Sequence, residues 1–195
     1  MDASIFLYTF KEGLLSKLAH DLRLSVTGFE IRARGTEVSA RLEVRSIRVD
    51  GVMKDGKLLR TEPSESDKAK IQQNMLNDVL RASEHAEVKF VGRTPSVEPP
   101  FTLRGELTLG GTTRAISTLL MVRGDKLIAD LEITPSQWGI KPYRALGGTL
   151  KVQDRIRIAI AAAWPSAEQE LNPNVELVWT YTPTKPSVVR SSLRG

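Results

Sequence analysis

The sequence predicts an all-β domain, built as an antiparallel sheet, sandwich or barrel. Three observations predict it. Apolar residues recur with a period of two, turn signals return at roughly eight- to twelve-residue spacing, and two independent turns agree on one apolar face.

The elements follow in chain order. Ile5 to Phe10 predicts an opening strand, and KEGLLSKLA before His20 a short helix. Leu22, Leu24 and Val26 alternate in LRLSVTGFEI. Leu42 and Val44 alternate in VSARLEVRSIRVD, but Ile47 and Val49 have the opposite parity, which predicts a bulge near Arg45-Ser46. Asp55-Gly56 is a turn signal. Ser64-Glu65-Ser66-Asp67 then offers capping oxygens and negative charge for the start of a helix over KAKIQQNMLNDVLRA. Ile71, Met75, Leu76, Val79 and Leu80 share one stripe of it. About fourteen residues at ~1.5 Å each reach ~20 Å, enough to close one end of a barrel. Val88 and Phe90 mark a strand in EVKFVG, and proline-rich SVEPP is a connection. Leu150, Val152, Ile156, Ile158 and Ile160 run through one long strand, and Val175 to Thr182 predicts a last one.

The segment ELTLGGTTRAISTLLMV sets a register. A two-residue turn at Gly110-Gly111 puts Leu109 opposite Thr112, Leu107 opposite Arg114, Gly105 opposite Ile116, Leu103 opposite Thr118 and Phe101 opposite Leu120. A second turn at Gly124-Asp125 pairs Val122 with Leu127, Leu120 with Ala129 and Thr118 with Leu131. One face of this meander is therefore apolar, with Arg114 on it near the turn. The opposite face turns oily at Leu119, Met121 and Ile128, a patch that calls for a cover. An arginine on an apolar wall is costly unless paired. Arg114 has three outlets: a carboxylate at the barrel end, the polar head of an amphiphile, or water reached by its extended stem.

Composition narrows the function classes. The 195 residues suit one domain, expected over residues 1–182, with a basic tail over 183–195. The tail's Lys185, Arg190 and Arg194 supply +3 of the net +5, leaving 25 basic and 23 acidic residues in the body. No basic stripe with interleaved aromatics appears, so no nucleic-acid partner is expected. No apolar run approaches the ~20 residues of a membrane helix, so no stable membrane insertion is expected either. Cysteine is absent, which excludes disulfides and thiolate chemistry. The N-terminus shows no basic leader followed by a long apolar stretch; the expected location is cytoplasmic, or periplasmic if a leader has been removed.

Catalysis has little to work with. His20-Asp21 and His85 are the only histidine sites, no G-x-S-x-G elbow is present, and neither histidine has a second metal ligand at helical or strand spacing. Asp21 is expected to cap or hydrogen-bond a turn. The expectation is no enzyme, no metal and no cofactor.

Five segments between Ser16 and Ile158 carry a resemblance that extends over residues 4–164: SKLAHDLRLSVTGFE, VRSIRVD, DVLRASEHAEVKF, GELTLGGTTRAI and WGIKPYRALGGTLKVQDRIRI. In content, order and spacing they resemble the YceI-like family of lipid- or polyisoprenoid-binding proteins. The resemblance implies an antiparallel lipocalin-like β-barrel of about eight strands, with a helical element and an elongated apolar pocket for one amphiphilic chain. It also implies a homodimer. The chain departs from the family at Ala86, where relatives tend to have proline, and after Trp164.

On this reading the pocket is lined by Leu24, Val26, Leu42, Val44 and Phe90 from the first half of the chain. Leu103, Leu107, Ile116, Leu120, Val122 and Leu131 come from the meander. Arg114 stands at the tunnel mouth, and Trp138 in SQWGIKPYRALGG acts as a lid, with polar tips at Lys141, Tyr143 and Arg144 beside it. The inward set is rich in medium-sized aliphatics and poor in rings, which favours a tunnel over a solid core of the same residues. The expected function is a non-enzymatic carrier or sequestering protein for a polyisoprenoid, fatty acid or fatty amide. The alternative is a filled barrel that binds a partner through Leu119, Met121 and Ile128.

Overall fold

The computed structural model describes residues 1–12, 21–145, 150–164 and 175–181. The short helix expected before His20 falls outside these residues, apart from Lys11 and Glu12, which extend the first strand. The expected tail over 183–195 lies outside them as well.

Period-two patterning yields strands almost everywhere. They are β1 (Asp2–Glu12), β2 (Leu22–Val26), β3 (Phe29–Arg34), β4 (Glu37–Glu43), β5 (Ile47–Lys54) and β6 (Lys57–Leu59) before the helix. After it come β7 (Glu87–Arg93), β8 (Phe101–Leu109), β9 (Thr112–Arg123), β10 (Lys126–Ile133), β11 (Arg144–Ala145), β12 (Leu150–Ala163) and β13 (Glu176–Tyr181). Nine of them close a ring in the order β12, β10, β9, β8, β7, β4, β3, β13, β1 and back to β12. The fold is thus the expected lipocalin-like barrel with a helix, with nine strands where about eight were expected. The pairs within the ring are antiparallel except at its seam, where β1 meets β13 in parallel over Asp2–Thr180 and Ala3–Tyr181 only. Past that point the same edge of β1 carries β2, which leads outward to β5 and β6.

The hairpin register is as the glycines predict, from Leu109 opposite Thr112 through Phe101 opposite Leu120. Gly110 and Gly111 have φ of 56° and 78°, which a β-branched residue adopts only with strain. Across the next turn Val122 faces Leu127 and Leu120 faces Ala129. The parity change near Arg45-Ser46 is real but is not a bulge. Val44–Ser46 forms a single 3-10 turn between β4 and β5, which lie in different parts of the sheet. Ser46 fastens this crossing by donating its hydroxyl to the Glu43 carbonyl at 2.7 Å. LRLSVTGFEI likewise makes two strands, β2 and β3, rather than one.

The helix α1 (Glu65–Asn74) starts where the capping oxygens predict: the Ser64 hydroxyl accepts the Asp67 amide at 3.2 Å. It continues through a wider π-helical turn over Met75–Val79, with the Leu80 amide donating to the Met75 carbonyl at 2.9 Å. Ile71, Met75 and Leu80 pack against a core of Ile5, Leu24, Val26, Phe29, Ile47, Val49 and Trp179. The helix thereby covers the barrel beside the branch made by β2 and β5.

Candidate ligand-binding site

The inward side chains of the barrel do not meet. They surround a cavity of about 950 Å³. The wall is built strand by strand from alternate residues: Ile5 and Leu7 of β1, Val38 and Leu42 of β4, Leu103 and Leu107 of β8, and Ile156, Ile158 and Ile160 of β12. From α1 and its π turn come Ile71, Met75, Val79 and Leu80; Leu76, of the same predicted stripe, is not part of the lining.

The two ends differ in chemistry. One end gathers Phe101, Leu120 and Trp164 with Leu177 and Trp179, all apolar. The other gathers polar groups: Lys11 at the end of β1, Asp67, Lys70 and Asn74 on α1, then Lys141, Tyr143 and Asp154. Asn74 donates to the Tyr143 hydroxyl at 2.8 Å and so ties α1 to the segment before β11. Asp67 accepts the Ser64 hydroxyl at 2.7 Å and lies 3.7 Å from Lys70, while Asp154 accepts the Ser136 amide at 3.0 Å.

Of the sequence-derived candidates, Leu24, Val26, Leu42, Val44, Phe90, Leu103, Leu107, Ile116, Leu120 and Leu131 line the cavity. Arg114, Val122 and Trp138 do not. Arg114 has the predicted register partner, Leu107, yet it is exposed and its Nε donates to the Gln137 carbonyl. The reason is position: it stands at the rim, where a long stem clears the wall and its head meets a backbone acceptor and water. The acceptor belongs to a 3-10 turn, Pro135–Trp138, that packs over this rim; Pro135 and Ile140 face the lumen from it. Trp138 is buried, but its indole N–H donates to the Leu107 carbonyl at 3.0 Å, so it seals the rim from outside the lining. Val122 sits next to the Arg123–Lys126 turn and is not part of the lining, although Leu127 opposite it and Trp164 at the same end are. The Trp164 amide is held there by the Asp125 carbonyl at 2.8 Å.

Sequence reasoning missed the contributions of β1, β12 and β13. Ile156, Ile158 and Ile160 carried a legible signal, a strict alternation in a long strand. Trp179 carried the same signal, in step with Val175 and Leu177 along β13, whereas Trp164, just past the end of β12, carried none.

Two glycines shape the wall. Gly92 of β7 lies directly opposite Gly105 of β8. A Cβ at either would fall 2.5 Å or 2.6 Å from the tip of the Phe90 ring. The missing side chains form a recess that takes the ring and keeps it against the wall.

The oily outer patch lies where expected: Met121 pairs with Ile128 on the outside of β9 and β10, and Leu119 is 49% exposed. Outside the barrel, charge is handled locally. Arg157 holds the Asp130 carboxyl below its ordinary range by hydrogen bonding, against a smaller opposing effect of burial. His85 is not in the lining; its ring lies against Gly111 and 3.3 Å from the Arg81 guanidinium. His20 lies outside the described residues. The Asp21 carboxylate accepts the Lys11 amide at 2.9 Å. Among the described residues no three His, Asp or Glu side chains converge as a metal site would require. No helix of these residues is long and apolar enough to cross a membrane.

Comparison with known proteins gives a consistent picture. The family described as YceI-like domain matches residues 15–164. Among curated proteins none is similar enough to match. The crystal structure of BcnA from Burkholderia cenocepacia is similar at 11% identity and TM-score 0.54, covering 82% of this chain and 94% of that one. A mutant YceI protein of Campylobacter jejuni, solved with a monobromobimane guest, is similar at 9% identity and TM-score 0.50, covering 80% and 91%. A polyisoprenoid binding domain from Saccharophagus degradans is similar at 10% identity and TM-score 0.48, covering 82% and 91%. The first two of these likenesses bear on the fold alone.

Proposed function

This chain belongs to the YceI-like family, and from that premise and the cavity we propose that it encloses one long-chain apolar or amphiphilic molecule, as a carrier or sequestering protein. The polyisoprenoid, fatty acid and fatty amide classes fit the shape. The observation that carries the reading is a lumen of about 950 Å³ walled by aliphatic side chains.

Magnitudes favour occupation by an alkyl chain. At ~24 cal/mol per Å³ a dry cavity of about 950 Å³ would cost on the order of 20 kcal/mol, beyond the whole ~5–15 kcal/mol stability of a typical domain. Water needs two to four polar partners per molecule, which the apolar stretch of wall does not offer. A hydrocarbon chain needs none, and each buried methylene gains ~0.8 kcal/mol. Ten or more carbons bind on that basis alone.

The reading is of a binding protein without a reaction. His85 is turned to Gly111 and Arg81, and Asp21 is engaged by a backbone amide, which leaves neither poised over the lumen. The filled-barrel alternative loses its premise in the lumen itself. We extend the proposal to a homodimer through the Leu119, Met121 and Ile128 patch. Native mass spectrometry of gently purified protein, with organic extraction of the same sample, tests the carrier. A co-purified lipid-sized mass is expected. Protein that carries no such mass and takes up neither fatty alcohols nor fatty acids would overturn it.

A further inference from the structure

Three lysines from three different elements border the polar end of the lumen. Lys11 continues the inward phase of Ile5, Leu7 and Thr9 along β1. Lys70 shares a face of α1 with Asp67, Ile71 and Asn74, all of which line the cavity. Lys141 lines it from the segment between the Pro135–Trp138 turn and β11. Backbone contacts bring these elements together. Val152 stands opposite Lys11, and its amide donates to the Tyr143 carbonyl at 3.1 Å, two residues along from Lys141. Asn74, one helical turn after Lys70, donates to the Tyr143 hydroxyl. The Gln153 side chain fixes the Lys11 carbonyl with a 2.9 Å bond.

The carboxylates of this end are engaged elsewhere or lie too far away. Asp67 is 3.7 Å from Lys70 and also accepts the Ser64 hydroxyl. Asp154 accepts the Ser136 amide. Asp21 accepts the backbone amide of Lys11, and Glu12 has the outward phase of β1. Glu43 lines the cavity from β4, three strands round the ring from β1, and its carboxylate lies against Gly28. Three strand spacings are roughly 14 Å, beyond the ~8 Å over which exposed charges act at physiological salt. Among the described residues neither Lys11 nor Lys141 forms an ion pair; the paired lysines are Lys68, Lys70 and Lys89. The stretches 13–20 and 146–149, which lie next to them in the chain, contain no acidic residue. Both lysines are exposed, so two hydrated cations stand at the mouth without a counter-charge.

We propose that the ligand is an amphiphile with an anionic head, carboxylate or phosphate, held at this mouth by Lys11 and Lys141 with its tail toward Phe101 and Trp164. This rests on the carrier reading and narrows it. An ionised head at the mouth keeps most of its water, so it escapes the cost of burial and gains two opposite charges. A hydroxyl or amide head gains nothing from either lysine. The far end, walled by Phe101, Leu120 and Trp164, suits the tail alone.

The test compares dodecanoate, dodecyl phosphate and dodecanol at neutral pH, each displacing a fluorescent alkyl probe. The proteins are the wild type, the double variant Lys11→Gln with Lys141→Gln, and the double variant Lys11→Arg with Lys141→Arg. Both positions are exposed, so the unfolding midpoint is expected to stay put. The glutamine variant is expected to lose about three- to tenfold in affinity for the anions, the worth of two exposed ion pairs, with dodecanol unchanged. The arginine variant should bind the anions as the wild type does. The anion that loses more identifies the head as carboxylate or phosphate. Raising the salt concentration on the wild type should weaken the anions and leave dodecanol unaffected. Equal loss for all three compounds, no loss for either anion, or a wild type that takes dodecanol but neither anion overturns the proposal and leaves the carrier reading in place. Wild-type protein that takes up none of the three sinks both.

Discussion

Trp138 and Trp179 look alike by every local measure. Each is 3% exposed, and each gives its indole N–H to a backbone carbonyl, Leu107 at 3.0 Å and Ala163 at 2.7 Å. They sit at opposite ends of the barrel and on opposite sides of its wall. Trp179 is on β13, where alternation aims it inward, and it lines the lumen. Trp138 is in a short helical turn after β10, and its ring tucks against the rim from outside. Burial and a satisfied donor therefore do not mark a ligand contact. What marks it is the element that carries the side chain, and which side of the wall that element presents.

Truncation should separate the two. Trp179→Ala and Trp138→Ala are each expected to lose ~3–5 kcal/mol of stability by urea unfolding. Only Trp179→Ala, assayed where it is still folded, is expected to change the length of alkyl chain bound. Equal effects on binding would erase the distinction between lining and seal.

Gly105→Ala probes the wall between the two ends. Its Cβ would lie 2.3 Å from the Val91 carbonyl oxygen and 2.6 Å from the Phe90 ring. A loss of ~1–3 kcal/mol is expected from overpacking. The ring is also expected to leave its recess and cross the lumen, so that the longest chains no longer bind. Adding Phe90→Leu should restore long chains without restoring all the stability. Unchanged chain-length preference in Gly105→Ala would show that the recess does not govern the lumen.

Arg114→Ala, at the sealed rim, removes one hydrogen bond to a carbonyl, and ~0.5–1.5 kcal/mol is expected. Alkyl binding should be untouched; a loss of affinity would return Arg114 to the ligand. The smallest effect belongs to the outer face. Asp130 has a lowered pKa in the fold because Arg157 hydrogen-bonds its charged form. Its contribution is therefore present above the unfolded value near ~3.9 and is lost as pH falls through the lower folded value. The pair is largely exposed, so Asp130→Asn should cost less than ~1 kcal/mol at neutral pH and nothing once the pH is below both values. Unfolding midpoints across that range measure it.

Much of the wall was legible because alternation is a property of the strand itself. The pair Gly110-Gly111 fixed a register, and with it the inward phase of Leu103, Leu107, Ile116 and Leu120. The same phase misplaced Arg114 and Val122, because parity says which face a residue takes but not how far the lumen reaches on each strand. Those limits are set by Trp164 and by the Pro135–Trp138 turn, both brought in from distant sequence. Val44–Ser46 shows the same gap on a smaller scale: a change of parity is visible locally, but whether it is a bulge or a move between strands depends on which neighbours wait on each side.

Sequence by itself determined that this chain makes twisted strands with an aliphatic inner face, where the hairpins turn, and where the helix begins. These follow from side-chain period, positive-φ glycines and capping oxygens, all short-range. Only the tertiary structure decided that the inner faces stand apart around a lumen, which tryptophan lines it and where it ends. Those depend on how far apart the closed ring of strands holds its walls, a distance no single segment encodes.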